Sequence, residues 1–359
     1  MHIISRYLIN EFLKNLVMTL AGFVAIFVVV DFFEKLDNFM EAQVNWKVTF
    51  TYFLYQLPVV AQQMLPAAIL LATIITLSLM ARNRELITIR SCGISLIRLT
   101  YPLILLSFCF TIMLFFLNET VLPPVHEKIN RIWQVEVMKK PLNAFFRNEK
   151  IWYRGKRVIY HIDYYDQQRL TLYGITIYRF SPDFELVVRV DARRGEWNGK
   201  NWIFLNGIIQ KRKPDGSFQV NRFEKRELNF PETPEDLVIT VRKPEEMNLR
   251  DLRAYTSRLR MEGYDASRLE VDMQAKISFP FVCVVMTLVG IPLSVRSEKR
   301  GGVAAGIGLG ICVAFLYWML YSVSITSGQS NILPPLVAGW LANAVFLASG
   351  TLLLVTMKQ

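Results

Sequence analysis

The segment Arg82-Asn-Arg-Glu-Leu-Ile-Thr-Ile-Arg-Ser-Cys-Gly-Ile-Ser-Leu-Ile-Arg98 lies between two long apolar runs, and the rest of the chain is organised around it. Asn83 is a typical N-cap, and Glu85 falls in the first turn, where the helix dipole favours an anion. Gly93 is a typical helix stop. The pattern therefore predicts a short helix over about 82–97, flanked by membrane-embedded chain.

The predicted helix has one small, apolar face. Leu86, Ile89 and Gly93 fall at helical spacing, which leaves Arg82 and Arg84 in water. Such a face is suited to receiving work from a partner protein. The spacing alone favours the simpler alternative, a positively charged cytoplasmic loop that only establishes topology.

The hydropathy on either side of this segment is too high for an ordinary soluble protein. The chain has 359 residues, 52% of them hydrophobic, and a mean hydropathy of +0.28. A membrane span needs about 20 apolar residues. The sequence therefore predicts a polytopic membrane protein. Its first span covers about Glu11–Phe33, and the charge-free runs are Val48–Ala81, Leu99–Asn118, Ile277–Val295 and Gly301–Met357.

Positive charge orients these spans. The last run divides at the polar cluster Ser327-Gly-Gln-Ser-Asn331, which gives six spans in a three-plus-three arrangement. Basic residues precede span one, fill the 82–98 segment and follow span four, whereas the alternate connectors are acidic or uncharged. The positive-inside rule then places both termini in the cytoplasm. The basic residues concerned are Arg6, Lys14, Arg82, Arg84, Arg90, Arg98, Arg296, Lys299 and Arg300.

The polar middle of the chain, Glu119–Ala275, lies outside the cell in this topology. It contains short alternating runs separated by Asn198-Gly199 and Asp215-Gly216, which are hairpin turn signals. An all-β sandwich or open barrel is therefore predicted here, inserted between residues 1–118 and 276–359. The predicted strands include Val158–Ile162, Leu172–Tyr178, Leu186–Val190 and Trp202–Leu205.

The two edges of this insertion carry helix signals. Pro123-Pro124 is predicted to break the helix that leaves span three. Pro231, Pro234 and Pro244 mark the exit from the strands, and two helices then return the chain to the membrane. An N-cap at Asn248 and a stop at Gly263 delimit the first, and a Ser267-x-x-Glu270 capping box opens the second.

Catalytic and nucleotide-binding motifs are not found in the sequence. It contains no Walker A motif and no Gly-x-Ser-x-Gly elbow, and the three histidines, His2, His126 and His161, have no metal-ligand spacing. Asp163 and Asp166 flank a turn-like stretch and are expected to be solvated. The net charge of +11 forms no compact basic block, which argues against nucleic acid as a partner. We therefore predict no enzyme activity, no metal and no cofactor.

Two further features have a structural and a functional interpretation. One face of span five has no side chains at Gly302, Gly306 and Gly310. Such a face fits either static packing or a surface that opens against a partner helix. Basic residues near the outer rim could bind an anionic lipid head group, or could simply be solvated. The rim charges are Asp31, Glu34, Lys35, Lys128 and Arg131.

The whole layout resembles the LptF/LptG family of lipopolysaccharide-export permeases. The resemblance covers nearly the full chain, and the exit from span one and the Gly-Tyr-Asp segment favour the LptG branch. The motifs that carry it are Arg6-Tyr-Leu-Ile-Asn-Glu-Phe-Leu, Asp31-Phe-Phe-Glu-Lys-Leu-Asp-Asn-Phe, Ala81-Arg-Asn-Arg-Glu-Leu-Ile-Thr-Ile-Arg-Ser-Cys-Gly-Ile-Ser, Arg258-Leu-Arg-Met-Glu-Gly-Tyr-Asp, Lys276-Ile-Ser-Phe-Pro-Phe, Gly290-Ile-Pro-Leu, Arg300-Gly-Gly, Phe315-Leu-Tyr-Trp and Leu333-Pro-Pro-Leu.

The resemblance implies a half-transporter in the inner membrane of a Gram-negative bacterium. Its implied partners are a paralogous LptF-type subunit, a cytoplasmic LptB-type ATPase dimer and LptC/LptA-type periplasmic β-jellyroll proteins, with lipopolysaccharide as the substrate. The inserted domain is then itself a jellyroll. Some relatives carry a lysine near Asp31 that contacts lipid phosphates, and here the nearest cation is Lys35, about one turn further on.

The same resemblance implies a role for particular residues. ATPase coupling falls on Glu85 with Leu86, Ile89, Arg90 and Gly93, and the head-group rim on Lys35, Lys128 and Arg131. Spans one and five line the lipid cavity and its lateral gate, through Phe27, Asp31, Gly302, Gly306, Gly310 and Phe315. The competing hypotheses are a non-transporting scaffold for envelope assembly and a membrane enzyme that modifies a lipid.

Overall fold

The computed structural model describes most of the chain. The described residues are 2–139, 149–154, 158–166, 169–181, 184–199, 201–213, 216–228, 230, 234, 243–261, 265–298 and 302–356. Among the features predicted above, Asp215, Pro231, Gly263, Lys299 and Arg300 lie outside the described residues.

Helices make up the parts of the chain on both sides of the inserted strands. Among the described residues, six helical segments are long and apolar enough to cross a membrane, which confirms the predicted number of spans. In chain order the helices are α1 (His2–Glu41), α2 (Trp46–Arg82), α3 (Glu85–Ser91), α4 (Leu96–Phe116), α5 (Leu122–Ile132), α6 (Leu249–Met261), α7 (Ser267–Ser278), α8 (Val282–Glu298), α9 (Gly302–Gln329) and α10 (Pro335–Val355).

The first two spans are longer than their apolar runs. The stretch Asp31–Glu41, predicted as an acidic connector, continues α1 because it contains neither glycine nor proline and its charged side chains are good helix formers. Likewise, α2 is one helix with Pro58 and Pro66 inside it. The two helices meet at the turn 42–45, and we call this end of the bundle the α1–α2 end.

The predicted break at Pro123-Pro124 is wrong. A π-helical turn, Leu117–Val121, follows α4, and α5 then begins with both prolines in its first turn. A proline at this position sacrifices no hydrogen bond, because the first N–H groups of a helix have no intrahelical acceptor. The helical segment therefore passes straight through the proline pair.

The two return helices are present, but one of their caps was assigned wrongly. Asn248 caps α6 as predicted, with its Oδ1 accepting from the Asp251 N–H at 2.7 Å. Ser267 is not the cap of α7, since Asp265 Oδ1 accepts its backbone N–H at 2.9 Å. Hydrogen bonds from the Ser267 side chain, the Ser267 backbone N–H and the Asn331 side chain lower the pKa of Asp265 to about 2. The carboxylate consequently ties the start of α7 to the turn between α9 and α10.

The chain forms two compact units. The helical unit comprises residues 1–133, 244–257 and 265–359, and the β unit comprises residues 134–243 and 258–264. In the helical unit the apolar stretches of α2 and of α7–α8 are almost entirely buried, whereas α1, α9 and α10 expose most of theirs. The central helices therefore make the core, and the peripheral ones present apolar surface outward.

A helix break lies inside span four, between α7 and α8. The chain makes a 3₁₀ turn over Phe279–Phe281, so nearby carbonyls lose their regular helical donors. The Asn343 amide donates to the Ser278 carbonyl at 2.7 Å, and the Thr111 hydroxyl donates to the Pro280 carbonyl at 3.0 Å. Tyr317 orients Asn343 by donating to its Oδ1 at 2.8 Å. Irregular backbone at membrane depth is stable only when neighbours supply such donors.

Replacing Asn343 by leucine is expected to destabilise the helical unit by about 1–3 kcal/mol. The change leaves the Ser278 carbonyl and the Tyr317 hydroxyl buried without their partner. Thermal or denaturant unfolding in detergent measures the loss. Ser349→Ala on the same helix is the control, because the Ser349 hydroxyl is exposed and bonds only within its own helix. Equal stability of the two variants would show that the break needs no external donor.

The β unit contains a six-stranded antiparallel sheet in the order β1 to β6, which confirms the predicted all-β insertion. The predicted turn at Asn198-Gly199 joins β4 to β5, with Gly199 at a φ of 94°. The strands are β1 (Glu149–Arg154), β2 (Val158–Asp166), β3 (Thr171–Phe180), β4 (Leu186–Trp197), β5 (Trp202–Arg212) and β6 (Phe218–Glu227).

In the central strands the buried side chains switch from one parity of position to the other, and the switch points line up across the sheet. In β2 the buried residues are Tyr160, Ile162 and then Tyr165, and the odd spacing between the last two shifts the inward side by one residue. β3 shows the same odd spacing between its buried residues Leu172 and Ile175. The line passes Gly174 and Asn206, whose φ values of 59° and 51° lie in the left-handed region. Aligned irregularities of this kind bend a sheet, as single bulges bend a strand.

Candidate functional site

The segment Arg82–Arg98 contains a short helix that connects α2 to α4. α3 spans seven residues, Glu85–Ser91, which is shorter than predicted. Asn83 is not its N-cap but caps the end of α2, and its side-chain amide donates to Glu85 Oε1 at 3.3 Å. The hydroxyl of Tyr7, on α1, donates to the same oxygen at 3.4 Å. Gly93, at a φ of 80°, ends the segment as predicted.

The apolar face of α3 points into the bundle. Leu86 is 4% exposed and belongs to the same core as Leu8 of α1, with Ile89 packed against that core. The outward face carries Ile87, 58% exposed, and Thr88. Leu86 therefore anchors α3 in the core of the helical unit, and Ile87 is an exposed apolar side chain that the sequence analysis did not select.

A buried ion pair lies near the α1–α2 end. The Lys35 ammonium is 2.6 Å from Asp31 Oδ1, one helical turn away on α1. It also lies over two aromatic rings, 5.3 Å from the Tyr52 centroid and 5.8 Å from the Trp133 centroid. These distances permit cation–π attraction. Lys35 is thus held by its own chain, in a cage whose aromatic members the sequence analysis missed.

Lys128 and Arg131 lie on α5 and are both exposed. The Lys128 ammonium is 5.1 Å from the Tyr55 ring centroid and donates to the Tyr55 hydroxyl at 3.5 Å. Tyr55 follows Tyr52 by one turn of α2. The structure therefore gathers two of the three predicted rim cations, Lys35 and Lys128, along one edge of α2.

An apolar groove of about 690 Å³ lies between the end of α1 and the start of α2. Its walls are mostly aromatic and aliphatic, and several of these side chains are largely exposed, Phe33 and Trp46 among them. Phe39 contacts Tyr52 and Trp133, so the groove adjoins the Lys35 cage. The groove is lined mainly by Val28, Phe32, Leu36, Met40, Phe50 and Phe53.

The glycine face of α9 packs within this chain. An added Cβ at Gly310 would lie 2.6 Å from a Leu71 methyl and 2.8 Å from an Ile74 methyl, both on α2. Gly306 is buried as well, whereas Gly302 starts the helix. This contact matches the static-packing alternative, and an opening motion stays a prediction.

The predicted gate residues lie at different depths. Phe315 on α9 is 69% exposed, and Phe27 on α1 is half-buried. Asp31 is buried, although it lies among membrane-spanning residues. The exposed aromatic on α9 is therefore available to lipid or to another subunit, and Asp31 is not.

The apolar side of the sheet is filled by its own side chains. Trp202, Phe204 and Tyr165 are fully buried, and Phe230 packs against them. Burial raises the pKa of Tyr165 to about 12, with a smaller contribution from Asp166. A separate groove of about 830 Å³ at the bend line is lined largely by polar and charged residues, including Asp163, Thr176, Asp191, Arg193, Asn206 and Arg222.

Among the described residues, no group of three or more His, Cys, Asp or Glu side chains could hold a metal ion. Asp163 is 62% exposed on its side chain and lies 3.8 Å from His161, which matches its predicted solvated position.

Sequence comparisons show what the chain is similar to. The model of the family described as lipopolysaccharide export system permease LptF/LptG matches residues 6–356. The lipopolysaccharide export system permease protein LptG of Escherichia coli strain K12 is 21% identical over 359 residues, which cover 96% of this chain and 95% of the relative. The LptG protein of Haemophilus influenzae strain Rd is 23% identical over 335 residues, covering 92% of this chain and 90% of the relative.

Proposed function

The chain belongs to the LptF/LptG family of lipopolysaccharide export permeases, and from that premise we propose that it is the membrane subunit of an ABC-type lipopolysaccharide exporter. In this proposal it extracts the lipid from the inner membrane and passes it to a periplasmic β-jellyroll bridge. ATP is hydrolysed by a separate cytoplasmic LptB-type dimer, and an LptF-type paralogue completes the lipid cavity. The observation that carries the proposal is a family match that includes the spans, α3 and the β unit.

The proposed orientation follows from charge. Arginines crowd the chain around α3, so this end belongs in the cytoplasm, and the α1–α2 end then faces the periplasm. That assignment puts the Lys35 cage, Lys128 and the apolar groove at the periplasmic side. A lipid with phosphates on its head group and several acyl chains needs this combination of a cationic rim and an apolar wall.

The proposed cavity uses the peripheral helices. α1 and α9 expose most of their apolar surface, and neither supplies the bulk of the core. Such surfaces fit a lateral opening shared with a second subunit, where acyl chains enter from the bilayer. Phe315 is the exposed aromatic that we place on this wall.

The proposed transmission of force runs from α3 to α1. Leu86 of α3 and Leu8 of α1 share one buried core, and Tyr7 hydrogen-bonds to Glu85. A push on α3 by a closing ATPase dimer would therefore move the start of α1 with it. Displacement of packed helices is a common form of gating.

Crosslinking of lipid during turnover tests the proposal. A photoreactive amino acid is placed at Phe315 on α9, with Ile112 on α4 as a control of similar exposure outside the proposed cavity. The complex that co-purifies with the full chain is reconstituted with lipopolysaccharide. We expect an ATPase and a paralogue in that complex, and ATP-dependent adducts at 315 but not at 112. A scaffold would give no turnover-dependent adducts, and a lipid-modifying enzyme would act without an ATPase.

A further inference from the structure

The Asp31–Lys35 pair is enclosed by its own chain. The side chains are 9% and 22% exposed, and the two charged groups are 2.6 Å apart. Tyr52, Trp133 and Phe39 contribute the surrounding aromatic surface, with Tyr52 and Trp133 beneath the ammonium. The exposed part of Lys35 is what an approaching ligand can reach.

The carboxylate is only half satisfied. Oδ1 of Asp31 contacts Lys35, whereas Oδ2 is buried and has no hydrogen-bond partner among the described residues. A buried carboxylate oxygen without a donor is unfavourable, since water has been removed and nothing replaces it. The Asp31 carboxylate therefore keeps one unsatisfied oxygen beside a cation that a phosphate would also seek.

We propose that Asp31 is a built-in competitor for the lipid phosphate at Lys35 and keeps the affinity of this rim site low. The inference rests on the proposed function, because it assumes that the site receives a phosphorylated lipid. A phosphate that reaches Lys35 comes within a few ångströms of the Asp31 charge, and like charges at that distance in a partly buried site repel strongly. The pair therefore holds Lys35 in place when the site is empty and weakens the phosphate contact when it is filled.

Weak binding has a purpose in a transport path. A substrate must bind well enough to enter each site and loosely enough to leave it. A lysine in an aromatic cage with no neighbouring anion would bind phosphate tightly and delay release. Asp31 supplies the opposing charge within the same helix and so weakens the phosphate contact that must be broken when the lipid leaves.

The alternative is that Asp31 only positions Lys35. The two roles predict opposite results for Asp31→Asn, which keeps the shape and one carbonyl oxygen but removes the charge. Under the competitor role the variant binds phosphorylated lipid more tightly. Under the positioning role Lys35 loses its anchor and the variant binds more weakly.

The experiment measures lipid binding to the purified full chain in detergent. The probes are lipopolysaccharide, the same lipopolysaccharide after enzymatic removal of its phosphates, and micellar phosphatidic acid. We expect Asp31→Asn to bind the two phosphorylated probes about tenfold more tightly than the unchanged chain, because one repulsive charge is removed. The dephosphorylated lipid should show no gain. An unchanged or weaker affinity for both phosphorylated probes would overturn the proposal.

Two further variants guard the interpretation. Asp37→Asn removes the same charge from an exposed position on the same helix, and it should leave all three affinities unchanged. In Lys35→Gln the additional change Asp31→Asn should bring no gain, because the cation being competed for is gone. A gain in that background would also overturn the proposal. Thermal unfolding of each variant shows whether it is folded.

The proposed function can fail separately from this inference. If the unchanged chain and Asp31→Asn both ignore lipopolysaccharide, while Asp31→Asn still binds phosphatidic acid more tightly, the lipopolysaccharide assignment is wrong and the competitor role stands. If lipopolysaccharide binds the unchanged chain and Asp31→Asn brings no gain, the competitor role is wrong and the proposed function stands.

Discussion

Replacing Glu85 by alanine is expected to lower lipid-stimulated ATP hydrolysis of the reconstituted complex by about tenfold or more. Glu85 begins α3 at the end of the bundle that we assign to the cytoplasm, half-buried at the edge of the outward face. Truncation of a charged contact at an interface costs about 2–5 kcal/mol, much of it because the partner charge is left unpaired. Steady-state ATPase rates with and without lipid, together with lipid release, measure the loss.

The controls separate a contact with the partner from a contact within the chain. Tyr7→Phe removes the hydrogen bond to Glu85 but keeps the ring, and it should cost much less than Glu85→Ala. Glu11→Ala removes a carboxylate from α1 near the same end and should leave ATP hydrolysis unchanged. If Tyr7→Phe reproduces the full loss, Glu85 acts by holding α1 and the proposed contact with the ATPase is wrong.

Replacing Gly339 by valine is expected to disrupt the packing of α10 against α7. An added Cβ would lie 2.7 Å from the Gln274 Cβ and 3.2 Å from the Gln274 carbonyl carbon. The backbone of α7 cannot turn aside as a side chain can, so the helices must separate. Overpacking of this kind costs about 1–3 kcal/mol or more. The hydrogen bond from Trp340 to Gln274, 3.4 Å long, would also be lost.

Gly308→Val is the matched control for this change. Gly308 belongs to the glycine-rich start of α9, but an added Cβ there would meet nothing within 4 Å. The yield of folded protein and its thermal unfolding in detergent should fall for Gly339→Val and stay unchanged for Gly308→Val. Equal losses would mean that backbone freedom, and not close packing, explains the role of glycine in these helices.

The strand pattern was predictable only where one face of the sheet is buried. β2 to β5 each have fully buried residues spaced among more exposed ones, and the sequence analysis found parts of all four. It found neither β1 nor β6, and the ten residues of β6 are nearly all exposed. Because neither face of an exposed edge strand is buried, its sequence does not need a regular alternation of apolar and polar residues. The line along which the sheet bends could not be predicted, because it depends on the register between neighbouring strands.

Two helix boundaries predicted from local sequence motifs were wrong. Ser267-x-x-Glu270 has the pattern of a capping box, but Ser267 is already the first residue of α7, and Asp265 accepts its backbone N–H instead. Pro123-Pro124 has the pattern of a helix stop, but a π-helical turn places both prolines where their missing N–H groups cost nothing. In both cases the motif is present in the sequence, but neighbouring residues determine where the helix begins.

The polar residue Asn343 in span six shows a signal that could have been used. A buried amide in a charge-free run needs a partner, because hydrocarbon offers none. That reasoning would have flagged Asn343 before its bonds to Ser278 and Tyr317 were known. It could not have identified the partners, since they come from two other spans.

The sequence alone determined the six spans and the inserted β domain, and it supplied the charge pattern from which we infer the orientation. Length, hydropathy and charge report directly on what a bilayer accepts. Only the tertiary structure decided which side of each helix turns inward: Leu86 toward the core of the helical unit, Gly310 toward α2, and Lys35 toward Tyr52 of α2. A helix that is apolar all round has no periodic contrast between its protein side and its lipid side. The sequence therefore shows that such a helix is buried, and the fold decides whether protein or lipid buries each face.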